Sequence, residues 1–130
     1  DGATALDVAD GNVTVTDSLT VSGGLVAPLQ INAQTGTTYT FVLADAGKLV
    51  TASNGSAQTY TVPPNSSVAY ATGTTITVIG IGAGKVTLAQ GSGVTINSVD
   101  SEKAINGQHA SVTLLKTASD TWQLVGNLQA

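Results

Sequence analysis

The sequence predicts an all-β fold, with a short repetitive β-shaft over residues 1–30 and a small antiparallel β-sandwich or barrel-like domain over residues 31–130. Three observations predict it. Val, Ile, Thr and aromatic residues alternate with polar ones in runs of four to eight residues. Asp, Asn, Gly and Pro clusters break those runs at intervals of roughly 8–12 residues, the spacing of sandwiches and barrels. No segment has the caps and the 3.6-residue apolar period of an amphipathic helix; residues 44–49 come nearest but are short and contain Gly47.

The shaft comes first. Leu6 and Val8, Val13 and Val15, Leu19 and Val21, and Leu25 and Ala27 form four apolar pairs in i, i+2 spacing. Successive pairs lie seven, six and six residues apart, with Asp10-Gly11, Asp17-Ser18 and Gly23-Gly24 between them. Alternation within a pair predicts a strand, and the Asp/Gly punctuation predicts tight turns. Strands this short have almost no core of their own, so the ladder needs its own next rung or the same segment of another chain. The pattern is the same for a β-helical shaft and for three intertwined strands. Leu6, Val8, Val13, Val15, Leu19, Val21 and Leu25 are therefore the expected trimer core.

Pro28 and the polar stretch 32–37 read as a junction. Beyond it, strands are expected over residues 38–43, 48–52, 59–62, 74–79, 85–89, 94–97, 110–117 and 121–125. Asp45-Ala46-Gly47, Asn54-Gly55, Pro63-Pro64-Asn65, Gly82 to Gly84, Gly91 to Gly93, Asn106-Gly107 and Ser119-Asp120 mark the turns. Residues 109–125 form the clearest hairpin, with Trp122 and Leu124 facing the core. Pro63-Pro64 cannot donate to a ladder, so it ends a strand or lies at an edge.

Composition narrows the function. Only 9% of residues are charged, there is no Arg, and the net charge is −4. Nucleic-acid binding needs a cationic footprint that is missing. No apolar run reaches the roughly 20 residues of a membrane-spanning helix. Monomer surfaces usually carry roughly 25–35% charged residues. The shortfall points to contact with sister chains, with a Thr-rich solvated sheet as the plainer explanation. There is no Cys, which excludes disulfides and thiolate sites. The chain does not begin with Met, as expected of a fragment or a processed product. The sequons at Asn12, Asn54 and Asn65 are expected by chance in a chain so rich in Ser and Thr.

Catalytic, cofactor and metal sites are not expected. The run Gly80-Ile81-Gly82-Ala83-Gly84-Lys85 lacks the first Gly and the final Ser/Thr of a phosphate loop, and a strand follows it rather than a helix. The lone His109 has no nucleophile-elbow partner; the one metal reading open to it is three copies meeting on a trimer axis. Asp100 and Glu102 share one loop with Ser98 and Ser101, and Asp7, Asp10 and Asn12 resemble half a calcium loop, but neither spacing matches a defined site. Tyr39, Tyr60, Tyr70 and Trp122 are the aromatic candidates for stacking on sugars. Tyr60, Tyr70, Asp100 and Glu102 are the candidate ligand contacts.

Several segments are individually weak but arrive in a familiar order. They are residues 34–39 (QTGTTY), 45–50 (DAGKLV), 62–67 (VPPNSS), 84–87 (GKVT), 93–98 (GVTINS) and 120–126 (DTWQLVG). On these, residues 31–128 resemble a recurrent module of tailed-bacteriophage virion proteins found in tail fibres and head fibres. The N-terminal repeat is similar to the β-rich shafts on which such modules are mounted. The resemblance implies a homotrimeric, non-enzymatic structural protein at the virion surface, a fibre or capsid-surface decoration that serves assembly and attachment. Its implied partners are other virion proteins of the capsid or tail; host cell-surface glycan is a separate expectation, tied to the alternative adhesion function. The resemblance carries over no binding residue. The alternative function is a host-receptor or glycan-binding adhesion domain.

Overall fold

The computed structural model describes residues 11, 14–16, 20, 22–24 and 27–130. From Ile31 to Ala118 successive strands alternate between two sheets. The first coil is β1 (Ile31–Gln34) and β2 (Thr38–Thr40), the second β3 (Leu49–Ala52) and β4 (Gln58–Val62), the third β5 (Thr75–Gly80) and β6 (Val86–Gln90). Strands β1, β3 and β5 stack in parallel in one sheet, and β2, β4 and β6 stack in parallel in the other. The remainder is β7 (Thr95–Asn97), β8 (Ala104–Ile105), β9 (Ser111–Ala118), β10 (Thr121–Gly126) and β11 (Leu128–Gln129). The six-stranded sheet runs β1-β3-β5-β9-β10-β7 and the five-stranded sheet β11-β8-β6-β4-β2.

The all-β class and the two-sheet, sandwich-like arrangement agree with the sequence. The pairing does not follow the expected antiparallel pattern. Both sheets are mixed, with three parallel coils followed by a closing section that is largely antiparallel. A parallel pair needs a long crossover, and here each crossover is the strand in the opposite sheet. Residues 35–48, for example, leave β1, form β2 and return to β3.

Alternation places the core. Val50 and Ala52 of β3, Ile76 and Val78 of β5, Val112 and Leu114 of β9, and Trp122 and Leu124 of β10 point inward from the first sheet. Tyr60 and Val62 of β4, Val86 and Leu88 of β6, and Ile105 of β8 meet them from the second. The outward phase is dominated by Thr. Thr38, Thr59 and Thr87 pair across β2, β4 and β6. Thr77 and Thr113 pair across β5 and β9, their hydroxyls 3.0 Å apart. Such ladders satisfy a solvated face without charge, and they explain much of the low charge content within one chain.

The glycine run at residues 80–84 has a packing cause. The backbone N–H groups of Ile81 and Gly82 donate to Ala52 O at 2.8 and 3.0 Å, and Gly84 N–H donates to Asn54 O at 2.8 Å. Asn54 Nδ2 in turn donates to Thr35 O at 2.7 Å. Three turns, one from each coil, are thus stacked backbone on backbone. A Cβ on Gly84 would clash with the main-chain oxygen of Ser56. Gly84→Ala is expected to cost about 2 kcal/mol by forcing the turns apart, which equilibrium urea unfolding would measure. An unchanged midpoint would show that the stacked turns yield freely.

Expected and observed strands agree closely from residue 48 to residue 125, except that the two-residue β8 lies where the sequence predicts a loop. The N-terminal differences are local. The run expected over 38–43 stops at Thr40, and Leu43–Asp45 forms a single 3-10 turn. Strand β1 occupies part of the expected junction, because its inward positions are the polar Asn32 and Gln34.

Candidate interaction site at the first coil

Strand β1 ends one sheet and β2 ends the other, and the two belong to the same coil. The first coil therefore presents two strand edges together. Gln30 O accepts from Leu49 N–H and Gln34 O from Ser53 N–H, so the even-numbered residues of β1 face β3. The backbone groups of Ile31 and Ala33 point the other way, out of the sheet. In β2, Thr37 O accepts from Thr59 N–H and Phe41 N–H donates to Thr61 O, leaving Thr38 and Thr40 directed outward. Among the described residues nothing pairs with these outward groups. An edge of this kind is a template for another strand.

Asp45 holds the two strands of this coil together. It is fully buried, on a turn between β2 and β3. Its Oδ2 accepts the Tyr39 hydroxyl at 2.7 Å and the Val42 N–H at 2.8 Å, and its Oδ1 accepts Asn32 Nδ2 at 2.8 Å. Asn32 Nδ2 also donates to Tyr39 Oη at 2.9 Å, and Gln34 Nε2 donates to Asn32 Oδ1 at 2.8 Å. One carboxylate thus ties β1, β2 and its own turn. Leu29, Ile31, Val42 and Leu43 are exposed around it, Ile31 by 63%. The site is a polar plug inside a coil with an apolar rim.

Burial pushes the Tyr39 hydroxyl up to about 12, helped by the Asp45 hydrogen bond and charge and opposed by Asn32. Burial also raises Tyr60, and burial followed by the Asp45 charge raises Tyr70. The folded chain holds these protons more tightly than the unfolded chain, whose tyrosines titrate near 10. Their contribution is complete below about pH 10 and is lost as pH rises through the folded values. The Tm is therefore expected to fall from about pH 10 to about pH 12 as phenolate absorbance grows, and to fall less in Tyr39→Phe. A Tm that is flat across that window would contradict the arrangement.

The structure separates the sequence-predicted residues. Leu6, Val8, Val13, Leu19, Val21 and Leu25 lie outside the described residues; Val15 is described and exposed. Tyr60 and Tyr70 belong to the core and do not present a ring to a ligand. Tyr60 lies on the inward phase of β4, edge-on to Tyr39 and Phe41 with centroids 5.6 and 6.1 Å away. Tyr70 is edge-on to Trp122 at 5.4 Å and its hydroxyl donates to Val42 O. With so few aromatic residues, the core takes both. Asp100 is exposed and Glu102 half-buried beside the turn Val99–Ser101. Asp100 and Ser101 have φ of 51° and 61°, a left-handed pair that turns the chain from β7 toward β8. Tyr60 and Tyr70 are thus buried, whereas Asp100 and Glu102 lie on the loop between β7 and β8. Among the described residues no group of three or more acids, His or Cys is placed to hold a metal ion, and His109 is an exposed turn residue with φ of 68°.

A second buried network joins two segments that carried the family resemblance. Lys116 is 3% exposed, and its Nζ donates to Asn65 Oδ1 and to Tyr70 O, 5.9 Å from the Trp122 ring centroid. Asp120 Oδ1 accepts Asn65 N–H at 2.6 Å. The turn after β4 is thereby fastened to the β9–β10 hairpin. The sequence marks Asp45 as a turn residue whose side chain acts as a structural acceptor, as it does for Val42 N–H. It misses the bonds of Asp45 to Asn32 and Tyr39 and the roles of Asn32 and Lys116, because these residues look like ordinary turn or surface positions until their partners are placed. Comparison with protein-family models, curated proteins and solved structures found no match.

Proposed function

We propose that the chain is a non-enzymatic structural module of a bacteriophage virion, a homotrimeric fibre or capsid-surface decoration that works in assembly and attachment. One observation carries the reading. The paired edges of β1 and β2 lie at the start of the domain, where the repetitive segment 1–30 enters it. A repetitive segment spaced for stacking, leading into two strand edges that nothing among the described residues covers, supports an assembly module. The ordered segments from 34–39 to 120–126 support the same reading through their resemblance to virion fibre proteins. Capsid or tail proteins are the proposed neighbours, with host glycan as the proposed target at the particle surface.

Native mass by light scattering tests it. The full chain is expected at three times its 12.9 kDa mass, and the chain without residues 1–30 at the mass of a monomer or a weakened trimer. A full-length monomer would overturn the trimer and leave an independent adhesion domain as the better reading.

A further inference from the structure

Lys116 stands on the inward phase of a core strand. Val112, Leu114 and Lys116 alternate along the buried side of β9, and Lys116 is 3% exposed. Two neutral oxygens hold its Nζ, Asn65 Oδ1 at 2.5 Å and the Tyr70 carbonyl at 2.7 Å. The Trp122 ring covers it, with the centroid 5.9 Å away. A cation shut away from water among neutral partners is a costly arrangement. A reaction that removes the charge relieves that cost.

Asn65 supplies the other half of such a reaction. It follows Pro63-Pro64, and Ser67 N–H and Val68 N–H both donate to Pro64 O, at 2.9 and 3.0 Å, which fixes the turn that carries it. Asp120 Oδ1 accepts Asn65 N–H at 2.6 Å and ties the same residue to the β9–β10 hairpin. Asn65 and Lys116 are thus held on one framework. A C=O bond is about 1.23 Å long, so Asn65 Cγ lies within about 3.7 Å of Lys116 Nζ. Reacting atoms poised for attack are about 3–3.5 Å apart. An amine and a carboxamide at this separation, kept from water, are the two reactants of an amide exchange.

We infer that Lys116 and Asn65 join in a side-chain isopeptide bond, formed by the folded chain itself. Nζ attacks Cγ, the Nζ–Cγ bond forms and the Cγ–Nδ2 bond breaks. The Lys116 ammonium gives up two protons and Nδ2 leaves with them as ammonium, so atoms and charge balance and no oxidant is needed. The Asp120 carboxylate is the acid–base group that touches Asn65. Asn65 is half-buried, and Ser66 and Ser67 beside it are exposed, which gives the leaving group a short way out. The structure shows the two side chains before reaction. The bond joins the turn after β4, a strand of the five-stranded sheet, to β9 in the six-stranded sheet. In a chain that has no Cys for a disulfide, it restrains the unfolded state as a disulfide does.

Intact-mass spectrometry of the full chain, purified folded and then denatured, tests the bond. The expected mass is lower than that of the sequence by one ammonia. Trypsin locates the loss, because its sites are Lys48, Lys85, Lys103 and Lys116. A linked Lys116 resists cleavage, so peptide 49–85 is expected joined to peptide 104–130, with fragment ions placing the bond at Asn65 and Lys116. Asn65→Ala is expected to keep its full sequence mass and to release 104–116 and 117–130 separately, a readout that does not require the variant to fold. A wild-type mass equal to that of the sequence would overturn the inference. So would a mass reduced by ammonia with 104–116 and 117–130 released, since the loss would then be a succinimide at Asn54-Gly55 or Asn106-Gly107.

Discussion

Trp122→Ala is expected to lower stability by about 4 kcal/mol, the largest loss expected from any single substitution in the domain. The indole is 1% exposed, and it sits where three parts of the fold meet. Within its sheet Trp122 pairs with Lys116 on β9 and with Ile96 on β7. Across the core its ring meets Tyr70 edge-on at 87°, a geometry favoured by the ring quadrupoles. Lys116 Nζ lies 5.9 Å from its centroid, so truncation also removes the aromatic neighbour of a buried cation. Lys116 would then lean entirely on Asn65 and the Tyr70 carbonyl. Trp122→Phe keeps the edge contact and much of the volume, and is expected to lose about half as much. Urea unfolding of the two variants would measure both values. A loss for Trp122→Ala no larger than for Trp122→Phe would show that the core collapses into the cavity.

Asp45→Ala is expected to cost about 3 kcal/mol, and its effect is concentrated in the first coil. Three donors lose their acceptor together: the Tyr39 hydroxyl, Asn32 Nδ2 and the Val42 N–H. Each buried donor left unsatisfied costs about 1–3 kcal/mol, less where it keeps another bond, as Asn32 Nδ2 does to the Tyr39 oxygen. For a domain of this size the Tm would fall by about 10 °C. Because the carboxylate links β1 to β2, amide hydrogen exchange should accelerate first over residues 31–41, while β9 and β10 stay protected. Asp45→Asn keeps one acceptor oxygen but turns an NH₂ toward the Asn32 amide or the Tyr39 hydroxyl, and should fall between wild type and alanine. Uniform acceleration across both sheets would show instead that the coil does not open separately.

The polar plug and the glycine stack show the limits of reading this chain locally. Asn32 and Gln34 interrupt the apolar phase of β1, so the strand looks like a junction until Asp45 and Tyr39 supply its partners. Gly82 and Gly84 read from the sequence as a turn between two strands, as observed, but why glycine is required there is seen only when Asn54 and Ser56 of the preceding coil are found against them. In both cases the partner is many residues away. Tyr60 and Tyr70 fail as ligand contacts for a related reason: the residue type suits a binding face and a core equally, and strand phase with long-range packing decides between them.

The sequence by itself determined that the chain from residue 31 onward is all-β, where most of its strands begin and end, and that Trp122 and Leu124 face inward. Those properties depend on alternation and turn chemistry within a few residues, and both are written locally. Only the tertiary structure decided that β1, β3 and β5 stack in parallel, that β9 and β10 close the stack antiparallel, and that, among the described residues, the edge strands of the two sheets meet on one coil. Pairing direction is set by how each crossover returns across the opposite sheet. That return is selected by the burial of Val50, Tyr60, Val78 and Leu88 against one another, a condition that no single segment contains.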